Sequence, residues 1–255
     1  MTGQGALHGR AMLVTGASSG IGRAIALAAA RAGADLAITY RTNESGARET
    51  AEAIGALGRR AVVLQLDLAD ARSIDAVGPA ARAALGRLDA WVNNAGADIV
   101  TPAGDALPAH DKLDLLLAVD LRGTILASWQ AAALLADAPD GGVIINMSWD
   151  HVLHGMEGRN PQMYAAVKGG ILAFSKSLAR SVAPKVRVNI LAPGWIETAF
   201  GEGLEDERYR AVVESTPMRR WGTPDDVAGA AVFLASPAAS FLTGQTILIG
   251  GGIVM

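Results

Sequence analysis

Tyr164 and Lys168 stand four residues apart in YAAVKGG, early in an Ala- and Gly-rich stretch that reads as a helix. That spacing brings two side chains out on one helical face. A phenol beside an ammonium is an acid–base pair, because the positive charge favours phenolate and is expected to draw the tyrosine below its ordinary pKa of about 10. A second signal lies at 15–22, TGASSGIG, between an apolar run and a helical stretch. Gly16, Gly20 and Gly22 permit a sharp turn there, and the amides of Ser18, Ser19 and Ile21 at the start of a helix can face a pyrophosphate. The spacing departs from G-x-G-x-x-G, so a strand-to-helix turn without ligand is the competing reading of this loop taken alone.

Short apolar or β-branched runs recur at 11–15, 36–40, 61–66, 90–94, 143–147, 186–191 and 245–250, separated by longer stretches of helical period. Seven nearly continuous apolar strands alternating with helices imply an α/β fold. A Rossmann-like, doubly wound parallel sheet covered on both faces is expected, in a single domain over residues 1–255. Thr223 as N-cap, Pro224 in the first helical position, and Asp225 with Asp226 in the first turn mark the start of the helix before the last strand. The irregular stretch 197–220 follows the sixth strand and is expected to lie over a substrate as a lid.

Composition narrows the chemistry. The 255 residues include no cysteine, which excludes a disulfide, a thiolate nucleophile and a cysteine zinc site. A formal charge of -3 argues against a nucleic-acid surface. No apolar run is long enough to span a membrane, and the first ten residues lack the apolar centre of a signal peptide, so a cytoplasmic protein is expected. Arg59 with Arg60 reads as solvated surface. His151 and His154, three apart without a carboxylate partner of metal spacing, read as surface or substrate-loop residues rather than zinc ligands. Asp150 with His151 lacks the nucleophile-elbow serine of a hydrolase triad.

TGASSGIG, Asp67 after the third strand, NNAG at 93–96, YAAVK at 164–168 and PGWIET at 193–198 together resemble, in order and over nearly the whole chain, the motif series of short-chain dehydrogenases/reductases. The resemblance implies a nicotinamide cofactor at the carboxyl ends of the strands. It implies Tyr164 as proton donor to a carbonyl or imine, and Lys168 on the nicotinamide ribose. It places Asp67 and Leu68 by the adenine, Asn94, Ala95 and Gly96 by the adjacent ribose, and Gly194, Ile196 and Thr198 by the nicotinamide. Asp67 also reads independently as a helix cap in DLAD. At the end of the second strand, where NAD preference calls for an acid, stand Arg41 and Thr42. A guanidinium there binds a 2′-phosphate, so NADPH is the expected cofactor.

Two positions depart from the family pattern. The segment after the fifth strand reads NMSWDH, with Trp149 in the register of the usual catalytic serine. An indole cannot relay a proton as a hydroxyl does, though it can stack on a flat substrate. Ser148 and Asp150 are the candidates to stand in, against a plain strand-end cap or turn contact. Alternation turns both away from Trp149's side, and the segment up to Tyr164 runs about two residues longer than the family norm. The second departure is Asp120 in VDLRG, where Asn is usual. Its carboxylate can retune Lys168, or simply keep the helix irregularity that orders such sites.

YRTNE, YAAVKGG and PGWIET are similar to 3-oxoacyl carrier-protein reductases. Tyr40-Arg41-Thr42, the acid near the serine position and APKVRVN at 183–189 resemble pteridine reductases, which reduce a ring C=N bond. A noncatalytic NADPH-binding regulatory protein is the third reading. The resemblance also implies a homotetramer or homodimer through the long helices flanking the fifth strand and the C-terminal segment.

Overall fold

The computed structural model describes residues 5–198 and 206–255. Its centre is a seven-stranded sheet of β1 (Ala11–Val14), β2 (Asp35–Tyr40), β3 (Ala61–Gln65), β4 (Ala90–Asn93), β5 (Gly142–Met147), β6 (Val186–Pro193) and β7 (Thr246–Ile249). The strand order is β3-β2-β1-β4-β5-β6-β7 and every pairing is parallel. The expected doubly wound sheet is therefore present, and all seven carboxyl ends lie along one edge. After β1 the chain builds outward in one direction, and after β4 in the other. The crevice where β1 and β4 part is the place where such sheets bind ligands.

Both faces are covered because the strand pattern leaves no polar side. Met12 and Val14 face α1 (Gly20–Arg31) and α9 (Pro224–Ala235), packing with Ile25, Ala29, Val227 and Leu234. Leu13 points the other way, with Trp91 and Ile144, against α3 (Ala71–Leu85), α6 (Thr124–Ala136) and α7 (Arg159–Val182). The period-two alternation of Met12, Leu13 and Val14 sorts the core into these two layers. Alanines on α1 and α9 let the helices approach closely. The foreseen start of α9 is a complete capping box: Thr223 accepts from the Asp226 amide, and Asp226 accepts from the Thr223 amide.

A buried polar string crosses the second layer. Trp91 Nε1 donates to Asn93 Oδ1 (2.8 Å), and Asn93 Nδ2 donates to Ser128 Oγ (3.0 Å) and Asn146 Oδ1 (2.8 Å). Asn146 Nδ2 then donates to Ser175 Oγ (2.8 Å), whose hydroxyl donates to the Ile171 carbonyl (2.7 Å). The string ties β4, β5, α6 and α7 together.

Three further helices are α2 (Glu44–Ala56), capped by Asn43, and α4 (Pro102–Asp105) with α5 (Ala109–Leu116) after β4. Arg60 is exposed surface, as expected, and Arg59 is half-buried. Both converge on Asp35, at 2.6 and 2.8 Å, and depress its carboxyl against the opposing effect of burial. Of the segment anticipated as a lid, residues 199–205 lie outside the described residues, while α8 spans Asp206–Ser215. Among the described residues no helix is long and apolar enough to cross a membrane.

Candidate active site

The glycine loop follows β1 directly into α1. Gly16 (φ 64°) and Gly20 (φ 53°) take left-handed conformations that a side chain would strain. A Cβ on Gly22 would fall 2.2 Å from the Gly16 carbonyl oxygen and 2.5 Å from Asn94 Nδ2, so this close turn of helix on loop admits only glycine. Ser19 occupies the N-cap of α1 and gives it no side-chain hydrogen bond, whereas Asn43, Asp70 and Thr223 cap their helices with side chains. The first amides of α1 are thus left for an acceptor from outside the helix. Thr198 reaches back over this loop, with its methyl 3.7 Å from where a Gly20 Cβ would stand. These features fit the phosphates of a dinucleotide.

Asn94 also holds two loops together. Its side-chain amide donates to the carbonyls of Thr15 (3.0 Å) and Gly16 (3.2 Å), clamping the loop after β4 to the loop after β1. Thr15 Oγ1 reinforces the clamp by accepting from the amides of Asn94 and Ala95 at 2.9 and 3.0 Å. Asp67 is not the helix cap read as its alternative role: Asp70 caps α3 by accepting from the Arg72 amide (3.0 Å), and Asp67 Oδ1 accepts from the Ala69 amide (2.9 Å) in the turn ahead of it. Leu68 is buried, with its carbonyl oxygen 2.7 Å from where a Gly123 Cβ would stand. Arg41 is exposed at the end of β2, and no carboxylate is paired with it among the described residues. Gly194 lies beside Gly250, and Ile196 buries its side chain in the core below the crevice.

Tyr164 and Lys168 emerge together from the first turns of α7, with Lys168 Nζ 5.2 Å from the centre of the Tyr164 ring. Between α5 and α6 the helix loosens into a π-helical segment, Leu117–Gly123, which carries Asp120 inward. Asp120 is buried, 2.9 Å from Lys168 Nζ through Oδ2, and accepts the Ala97 amide (2.7 Å) on Oδ1. Gly96 leaves it room, since a Cβ there would sit 3.0 Å from Oδ2.

The pKa consequence corrects one expectation. Burial opposes the charge on Lys168, but Asp120, with help from Tyr164, overrides it and raises the ammonium well above its usual range. Lys168 does pull the Tyr164 phenol downward. Burial, the largest effect, together with the Asp120 charge outweighs it, and the net direction for Tyr164 is up.

Ser148 and Asp150 are both committed elsewhere. The Ser148 hydroxyl donates to the Lys168 carbonyl (2.8 Å), a buried contact from strand end to helix. Asp150 is fully buried and accepts from the backbone and ring of His151. Trp149 instead lies next to Tyr164, edge-to-face with ring centres 5.3 Å apart. The segment continues into a 3₁₀ turn, Asp150–Leu153, and a loop with left-handed Gly155 and Gly158. His151, read from sequence as a surface or substrate-loop residue, stacks on Trp149 (4.9 Å, 17°). The adjacency of an Asp and a His was its only signal in the sequence. An aromatic series continues through Trp195 and Trp221 to Tyr209, which stacks on Trp221 and donates to Glu197 (2.6 Å).

Comparisons with known proteins agree with this geometry. The family profile described as enoyl-(acyl carrier protein) reductase matches residues 16–254. The chain is 36% identical to 3beta-hydroxysteroid dehydrogenase 1 of Eggerthella lenta, over 98% of this chain and 95% of that protein. It is likewise 36% identical to the 3-oxoacyl-[acyl-carrier-protein] reductase FabG of Escherichia coli, over 97% and 98%. Among solved structures, a short chain dehydrogenase from Burkholderia cenocepacia in complex with NADP superposes with a TM-score of 0.88 at 33% identity, covering 97% of this chain and 99% of that one. A 7 alpha-hydroxysteroid dehydrogenase complexed with NADH and 7-oxo glycochenodeoxycholic acid gives 0.89 at 30% identity, covering 100% and 98%. The chain belongs to the short-chain dehydrogenase/reductase family of oxidoreductases, whose members transfer hydride with a nicotinamide cofactor.

Proposed function

We propose that the protein is an NADPH-dependent reductase of a carbonyl substrate, with Tyr164 as proton donor and Lys168 assisting. The observation that carries this reading is the buried Lys168–Asp120 ion pair beside Tyr164. When bound, NADPH supplies a hydride to the carbonyl carbon. Tyr164 holds the proton for the carbonyl oxygen. Its raised pKa keeps it a phenol at neutral pH, the form that reduction requires. Lys168, held charged by Asp120, stabilises the phenolate left by the transfer and is placed to hold the nicotinamide ribose. The start of α1, without a side-chain cap, takes the phosphates, and Arg41, which has no acidic partner among the described residues, takes the 2′-phosphate.

The names of the relatives, a hydroxysteroid dehydrogenase and a 3-oxoacyl reductase, both speak for a ketone or its alcohol. His151 stacked on Trp149 weakens the case for a pterin lying there. The retained Tyr164–Lys168 pair weakens the noncatalytic reading. Helix α8 is the described part of the stretch read as a substrate lid. Leu117, Leu121, Ile125 and the half-exposed Trp129 line an open apolar groove on the π segment and α6, which supports assembly into a homodimer or homotetramer.

The test is single-turnover oxidation of bound NADPH against 3-oxoacyl thioesters, simple ketones, quinones and pterins, comparing the natural chain with Tyr164→Phe. Fast oxidation by a ketone or thioester that Tyr164→Phe abolishes is the expected result. Oxidation indifferent to Tyr164, or tight NADPH binding without oxidation by any of them, overturns the reading.

A further inference from the structure

Asp150 has no part in the proton transfer above, yet the fold makes room for it. Its carboxyl is wholly buried, and a Cβ on Gly194 or Gly250 would fall 2.4 or 2.1 Å from Oδ2. Among the described residues Oδ2 has no hydrogen-bond partner. An unsatisfied buried carboxyl oxygen is costly, and what Asp150 does in return is fix one side chain. Oδ1 accepts the His151 backbone amide at 2.7 Å and meets His151 Nδ1 at 2.6 Å.

A carboxyl on Nδ1 makes that nitrogen the protonated one, which leaves Nε2 of the neutral ring with an open lone pair. Among the described residues Nε2 bonds to no protein group, and the side chain keeps 13% of its surface accessible. The ring stands in an aromatic recess, stacked on Trp149, with Trp195 meeting it edge-on at 6.1 Å. Trp149 in turn touches Tyr164. An oriented acceptor is thus held one indole away from the proton donor.

We propose that His151 Nε2 is a substrate contact that accepts a hydrogen bond from a hydroxyl carried about one ring's width from the reacting carbonyl, so that the preferred substrates are flat hydroxyketones. The proposal deepens the reductase reading and rests on it.

Two ketones separate the possibilities, 1-tetralone and 6-hydroxy-1-tetralone, which share a reacting carbonyl and differ in one distant hydroxyl. The natural chain is expected to favour the hydroxylated ketone about tenfold in kcat/KM, chiefly through KM, the size of one hydrogen bond. In His151→Phe, which keeps a flat ring against Trp149 and removes Nε2, the ratio should collapse to about one. Equal ratios in the two proteins, or no preference in the natural chain, overturn the proposal.

A readout independent of turnover follows the imidazole nitrogens by NMR in the NADPH complex, with the His151 signals identified by their loss in His151→Phe or His151→Gln. The Nε2 resonance should move when 6-hydroxy-1-tetralone is added and stay in place with 1-tetralone. An unmoved Nε2 overturns the contact. A shifted Nε2 in a protein that oxidises no NADPH keeps the contact and overturns the reductase reading instead.

Discussion

Replacing Asp120 by Asn changes the charge behind the acid–base pair with almost no change of shape. The amide oxygen can still accept the Ala97 N–H, which Asp120 Oδ1 now takes at 2.7 Å. What disappears is the negative charge 2.9 Å from Lys168 Nζ. That charge raises the pKa of Lys168 and of Tyr164 alike, so removing it lowers both. Reduction needs phenol and ammonium together, and its rate falls as either loses its proton with rising pH. Both shifts therefore move the alkaline limb of the profile downward. Two unit charges 4 Å apart interact by about 4 kcal/mol at an effective dielectric near 20, and half as much at twice the distance. With Lys168 between carboxylate and phenol, the effect on Tyr164 falls in the lower part of that range, and its direction is down. The assay is kcat against pH at saturating cofactor and ketone, with melting temperature and cofactor affinity measured alongside. A limb that stays in place or moves upward, in a protein that still folds and binds cofactor, refutes the electrostatic account of this site.

Arg41→Ala should reduce kcat/KM for NADPH by about 10- to 100-fold, the range of a charge-assisted hydrogen bond, and leave that for NADH within about twofold; parallel steady-state titrations of both cofactors check it. Gly22→Ala forces a methyl onto the Gly16 carbonyl and the Asn94 amide. Its cost should be at least about 2 kcal/mol in denaturant unfolding, with cofactor affinity falling too. Ser148→Ala loses the buried bond to the Lys168 carbonyl and should cost about 1 kcal/mol of stability while kcat stays within about twofold. A collapse of kcat with stability intact would return Ser148 to the chemistry.

The strands were legible because each carries its own signal. Ala11–Val14 or Ile144–Ile145 can be stable only when buried on both faces, and the Thr223–Asp226 box is a local motif with a local bond set. Tyr164 and Lys168 were legible for the same reason, lying one helical turn apart. The departures were visible as substitutions, but their outcomes rest on partners far away in the chain. Whether Asp120 meets Lys168 depends on a π-helical turn that no periodicity in LAVDLRG announces. The destination of the Ser148 hydroxyl depends on how α7 lies against β5, and the direction of the Tyr164 shift depends on a burial term that a pair taken by itself does not contain. Asn94 reads as a ligand contact in its motif, and its amide also holds the loop after β1.

The polar string from Trp91 to Ser175 has a use beyond holding layers together. Ser175 lies seven residues after Lys168, close to two full turns along α7, and so on nearly the same side of the helix. Apolar contacts between an alanine-rich helix and a sheet tolerate sliding and rotation, since one small residue resembles the next. A bond from Asn146 to one particular hydroxyl does not, and it works as the key in a keyway. It indexes the azimuth of α7 from inside the core, and with it the bearing of Tyr164 and Lys168 on the crevice. Apolar replacements of matching size along the string could leave the melting temperature nearly untouched and still blur where those two side chains point. Aim and stability are thus separately encoded in one helix.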